Sequence, residues 1–106
     1  MGRFAIAVYK PKDGKRDQLL RVVRKHMEVL RAEQLVGDRS AYVMQAGNGA
    51  VVEVFEWLSA DAIRKAHELP AVQALWAEFS AVCDFVPLAT LPEAQDMFAE
   101  FDSLDL

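Results

Sequence analysis

The sequence predicts an α+β domain, a four-stranded antiparallel sheet with two helices on one face and a further short helix at the C-terminal end. Three observations predict it. Short apolar runs rich in β-branched and aromatic residues occupy residues 3–9, 40–46, 50–57 and 84–91. Two longer stretches, about 14–35 and 60–83, carry apolar residues at three- and four-residue steps. Gly47-Asn48-Gly49 joins the second and third runs as a tight reversal, so the order is βαββαβ.

The first strand, Arg3 to Tyr9, places Phe4, Ile6 and Val8 on one face and Ala5, Ala7 and Tyr9 on the other. A strand apolar on both faces is covered on both. Lys10-Pro11-Lys12-Asp13-Gly14 ends it in a turn, and Asp13 stands where a helix N-cap is expected. In the first helix Leu19, Val23, His26 and Leu30 form the apolar stripe, widened by Leu20 and Met27. Arg21, Arg24, Lys25, Glu28 and Arg31 lie opposite, with Asp17–Arg21 and Arg24–Glu28 spaced as i,i+4 pairs. Gly37 is the expected terminator.

Ser59 is an N-cap for the second helix, with Asp61 in its first turn. Pro70 interrupts that helix, and Val72, Leu75, Trp76, Phe79, Val82 and Cys83 resume the stripe. The fourth strand, Asp84 to Leu91, contains Pro87, which assigns it to a sheet edge. Pro92 opens the C-terminal helix, with Ala94, Met97, Phe98 and Phe101 along one side.

Right-handed crossovers turn this order into a ferredoxin-like arrangement, with both long helices on one sheet face. The opposite face then has no cover from its own chain. A sheet-to-sheet homodimer is the economical way to cover it.

Composition narrows the classes. The chain has 106 residues, 12 bases and 16 acids, and 53% of it is hydrophobic, enough for one packed domain. No apolar run reaches the length of a membrane span, and the opening Met1-Gly2-Arg3-Phe4 runs directly into strand pattern. A soluble, cytoplasmic protein without a membrane partner is expected. The lone Cys83 excludes an internal disulfide and a thiolate zinc cluster. Ten of the 12 bases lie within residues 1–39, interleaved with acids, and five acids from Glu93 onward have no base among them. That is a solvated helix face and an acidic end, so nucleic acid is not an expected partner.

Val52-Glu-Val-Phe-Glu-Trp-Leu-Ser-Ala-Asp-Ala-Ile-Arg-Lys-Ala-His67 resembles the antibiotic-biosynthesis-monooxygenase type of dimeric α/β-barrel protein. In that family a glutamate-rich strand ends in Trp-x-Ser before a helix with alanines and a histidine. The resemblance implies a single such domain over residues 1–106, dimeric through its sheets. It further implies cofactor-independent oxygenase-like chemistry on a small aromatic or enolic compound. Trp57 matches a family position, but the only asparagine, Asn48, lies in the hairpin turn. The stretch where haem-degrading relatives carry a proximal histidine holds Trp76, so haem is not implied.

Three residues are candidates for proton chemistry. His67 and His26 each fall on an apolar helix stripe, where two imidazoles could face one cleft between helices and sheet. Glu53 lies between Val52 and Val54 and needs a partner in a covered strand. It could orient a histidine, with His67 as the base, or pair with Arg3 or Arg39. Two histidines and a glutamate are also the minimum of a metal site, but their spacing matches no metal motif, and neither a metal nor an organic cofactor is expected. Trp57, Tyr42, Trp76 and Phe79, with Phe55, are candidates for the wall of an aromatic pocket; Trp76 and Phe79 also fit the core stripe, and Trp57 and Tyr42, near strand ends, are the better pocket candidates. Against the enzyme reading stand a non-catalytic dimeric ligand-binding domain and a pocketless assembly module.

Overall fold

Two strands hold the centre of the sheet because both of their faces are apolar. They are β1 (Arg3–Pro11) and β3 (Val51–Trp57), which pair antiparallel with Ala7 opposite Glu53 and Tyr9 opposite Val51. The computed structural model describes residues 1–106 throughout. Around that pair lie α1 (Arg16–Ala32), β2 (Tyr42–Gln45), α2 (Ala60–Ala66), α3 (Pro70–Val82), β4 (Cys83–Val86) and β5 (Asp102–Ser103). The sheet runs β4-β1-β3-β2-β5, antiparallel at every junction. β4 is an edge strand and stops one residue before Pro87, which has no N–H for a ladder.

The helices cover the inner face. Leu19, Val22 and Val23 of α1 and Leu75, Phe79 and Val82 of α3 pack on Tyr9, Val51 and Cys83. A second group joins Leu30, Leu35 and Val36 to Phe55, Trp57, Ala62, Ala66 and Val72. Ser59 caps α2 as its sequence position suggests, its Oγ accepting from the Ala62 N–H at 3.1 Å. In the hairpin turn Asn48 Oδ1 accepts from the Ala50 N–H at 3.0 Å, and Gly49 takes the left-handed conformation at φ 91°.

Both ends of α1 differ from expectation. The helix begins at Arg16 after Lys15, not on Asp13, and no side chain caps it. It ends at Ala32, and the left-handed residue that terminates it is Gln34, not Gly37. Gln34 has φ 60°; its N–H donates to Arg31 O at 3.0 Å, and the Leu35 N–H donates to Leu30 O at 2.9 Å. This is a Schellman closure with glutamine in the position glycine favours. The contact of Leu35 with Leu30, both in the core, is the local reason the turn closes there.

The C-terminal region is the main correction. The strand expected to run to Leu91 stops at Val86 and gives way to a 3-10 turn at Leu88–Thr90, and the expected helix after Pro92 is replaced by a 3-10 turn at Pro92–Gln95 and then an irregular segment. A short isolated helix is marginal in water, and burial of Leu91, Ala94 and Phe101 is worth more. Those residues lie on Val8, Val52, Ala46 and Ala50 of the outer face, so the chain covers part of that face itself. The segment then adds β5 beside β2, giving five strands where four were expected. Glu93 tethers it: the Gly47 N–H donates to its Oε2 at 2.7 Å and holds that carboxyl below the ordinary range. Much of the outer face stays open, with Phe4 58%, Ile6 49% and Tyr42 73% exposed. No helix is long and apolar enough to cross a membrane.

Candidate functional site

The polar centre of the inner face is Glu53, the third residue of β3. Pairing places Ala7 on one side of it and Val43 on the other. The small alanine leaves room for Tyr9, two residues along β1 on the same face, to reach diagonally across. The Tyr9 hydroxyl donates to Glu53 Oε1 at 2.6 Å. From above, α1 lowers His26 so that its Nδ1 lies 2.7 Å from the same oxygen. With a carboxylate as acceptor, that nitrogen carries the proton. Tyr9, His26 and Glu53 are all buried, Glu53 completely.

Aromatic rings fix the geometry. Phe79 stacks on Tyr9 at 4.7 Å and meets the His26 ring edge-on at 5.3 Å, and Phe55 meets that ring at 5.0 Å. Burial, reinforced by the Glu53 charge and its hydrogen bond, pushes the Tyr9 phenol well above its ordinary range, so it remains a donor. Both bonds converge on Oε1. Glu53 Oε2 is equally buried and has no hydrogen-bond partner. An orphaned carboxylate oxygen in a packed interior calls for an explanation.

Glu53 also stands in the wall of a surface cleft. Five surface clefts have similar volumes, about 320 to 370 Å³, so size distinguishes none of them. Chemistry does: one of about 320 Å³, between α1 and the β2 side of the sheet, has Glu53 in its wall. Val23, Met27, Ala41 and Val43 supply apolar surface, Arg24, Glu28, Arg31 and Ser40 polar surface, and Leu106 completes it.

Of the candidate bases, the structure brings His26 and Glu53 together and leaves His67 outside. His67 is exposed just past the end of α2, its Nδ1 2.9 Å from Ile63 O and its ring edge-on to Trp76 at 4.9 Å. The two imidazoles do not share a cleft, and Glu53 orients His26 instead. α2 ends at Ala66, so the ring projects from the turn that follows it and not from the buried stripe. Neither arginine considered for Glu53 reaches it; Arg39 pairs with Glu56 at 2.9 Å and lies over the Phe4 ring.

The aromatic candidates also separate. Phe79 is core against the buried triad, and Trp57 is core against Phe55 at 5.3 Å. Trp76 is half-buried beneath His67, and Tyr42 points outward from β2. None of the four lines the Glu53 cleft. Sequence reasoning missed Tyr9 as a site residue. Its signal was present: past Arg3 at the strand's start, Tyr9 and Glu53 were the polar positions on the inward faces of neighbouring strands. Cys83 is buried away from the cleft, and burial, then Asp84, push its thiol up to about 11. No group of three His, Cys, Asp or Glu side chains is placed to hold a metal ion. Comparison of the chain with protein-family models, curated proteins and solved structures finds no match.

Proposed function

We propose that this protein is a ferredoxin-like domain of the antibiotic-biosynthesis-monooxygenase type. In this reading it abstracts a proton from a small phenolic or enolic compound, without an organic cofactor, in the cleft beside Glu53. The observation that carries the reading is the unpartnered Oε2 of a fully buried glutamate in the cleft wall. Tyr9 and His26 occupy Oε1 and leave Oε2 as the free acceptor, a base oriented by two neighbours. Proton removal from a phenol or enol is the step that isomerisation and direct oxygenation share. Glu53 is the catalytic residue here, and His26 and Tyr9 are positioning residues.

The spatial order of the first four strands, β4-β1-β3-β2, supports the family reading, as does the open outer face. Phe4, Ile6 and Tyr42 of that face, with Met97 and Phe98 of the segment crossing it, expose an apolar area on the order of 500 Å². That is large for a monomer, and a second copy packed sheet to sheet covers it with the same residues on both sides.

A panel of quinols and phenols, followed by oxygen uptake and by deuterium incorporation from solvent, tests the function. Glu53→Gln is expected to lower turnover at least about 100-fold, the ordinary contribution of a general base, while His67→Ala leaves it unchanged. Retained turnover in Glu53→Gln would refute the assignment. Binding without turnover in the unaltered protein would favour the ligand-binding alternative, and absence of binding the assembly module.

A further inference from the structure

We infer that the ligand of the Glu53 cleft carries an anionic group opposite its hydroxyl, so that it is a one- or two-ring phenolic or enolic carboxylate. This rests on the cleft being the ligand site, and it names what that site selects. Two parts of the cleft lining make different demands. Glu53 stands in the cleft wall with its Oε2 buried and without a donor, an acceptor that a ligand hydroxyl reaching it would satisfy. A second negative charge cannot sit there, beside a carboxylate removed from water.

The other demand comes from α1. Arg24 and Arg31 both line the cleft, seven residues apart and therefore on one helix face about two turns from each other. Arg24 is exposed and makes no ion pair, although Lys25, Arg39 and Arg64 each have a carboxylate partner. Glu28, four residues further on, does not pair with it. Arg31 is steadied from behind, its Nε donating to Gly37 O at 3.0 Å, which leaves its terminal nitrogens free to donate. A neutral phenol would use neither guanidinium. A carboxylate accepts two parallel N–H bonds from one of them, the pairing for which arginine is best shaped. Val23 and Met27 offer the same cleft apolar surface for a ring. The volume of about 320 Å³ is at the small end for ligand sites and suits one or two rings better than a polycycle.

Titration calorimetry at low salt with 6-hydroxy-2-naphthoate, 2-naphthol and 2-naphthoate tests the inference. The hydroxy acid is expected to bind at least tenfold tighter than 2-naphthol. That margin should shrink with added salt and fall to about threefold or less in Arg24→Gln/Arg31→Gln. Arg24→Gln alone, at an exposed helix position, should remove part of it without loss of folding. Glu53→Gln should weaken both hydroxylated ligands and leave 2-naphthoate little changed. If 2-naphthol matches the hydroxy acid and Glu53→Gln weakens both, the cleft reading survives and the anionic ligand is refuted. A margin that persists in the double arginine variant refutes it too. If none of the three binds, both readings fall.

Discussion

Replacing Tyr9 by Phe removes a single oxygen from the centre of the protein. The ring stays stacked on Phe79 at 4.7 Å, so no cavity opens and the effect isolates one hydrogen bond. That bond is short, 2.6 Å, its acceptor is a carboxylate, and both residues are buried. Charge-assisted bonds of this kind contribute about 1.5–3 kcal/mol, and here the acceptor oxygen would be left to His26 alone. A loss of about 2 kcal/mol is expected, or roughly 8–16 °C in Tm for a domain of this size. Urea unfolding followed by the fluorescence of Trp57 and Trp76 measures it. The same substitution in a Glu53→Gln background should cost at least about 1 kcal/mol less, because the charge that strengthens the bond is gone. A cost below about 0.5 kcal/mol, or additivity within that margin, would refute the triad as the organising contact of the inner face.

Three further outcomes are expected. Gln34→Gly should stabilise by about 0.5–1 kcal/mol, since Gln34 holds φ 60° where glycine has no steric cost; chemical denaturation showing a loss would contradict the Schellman reading. Raising the pH should destabilise the fold from about 9 upward. The unfolded chain ionises its thiol there, while Cys83 keeps its proton to about 11 and Tyr9, also raised, keeps its own beyond pH 10. Thermal unfolding of Cys83→Ala should lack the first part of that decline and Tyr9→Phe the second; unchanged profiles would count against both burials. In sedimentation equilibrium at micromolar concentration the protein should behave as twice its 11.9 kDa chain mass, and Ile6→Glu as a single chain. A folded 11.9 kDa species before mutation would remove the sheet-to-sheet dimer.

The α+β class, the strand-helix order and the hairpin were legible in the sequence because each depends on local periodicity and turn chemistry. Two apolar faces marked β1 and β3, Pro87 marked the edge strand β4, and Ser59 marked the start of α2. The chemistry was only half legible. Glu53 stood out as an acid among valines, but its partners depend on the antiparallel register and the docking of α1, so His67 was preferred to His26 as the base and Tyr9 went unseen. The C-terminal region misled for a related reason. Residues 92–101 have a helical apolar spacing, yet the outer face of the sheet offers Leu91 and Phe101 a surface that local hydrogen bonds cannot match, and the chain follows it. Local sequence thus determined which elements form and in what order. Tertiary packing decided which polar groups meet, because a buried carboxylate takes whichever donors the fold delivers within about 3 Å.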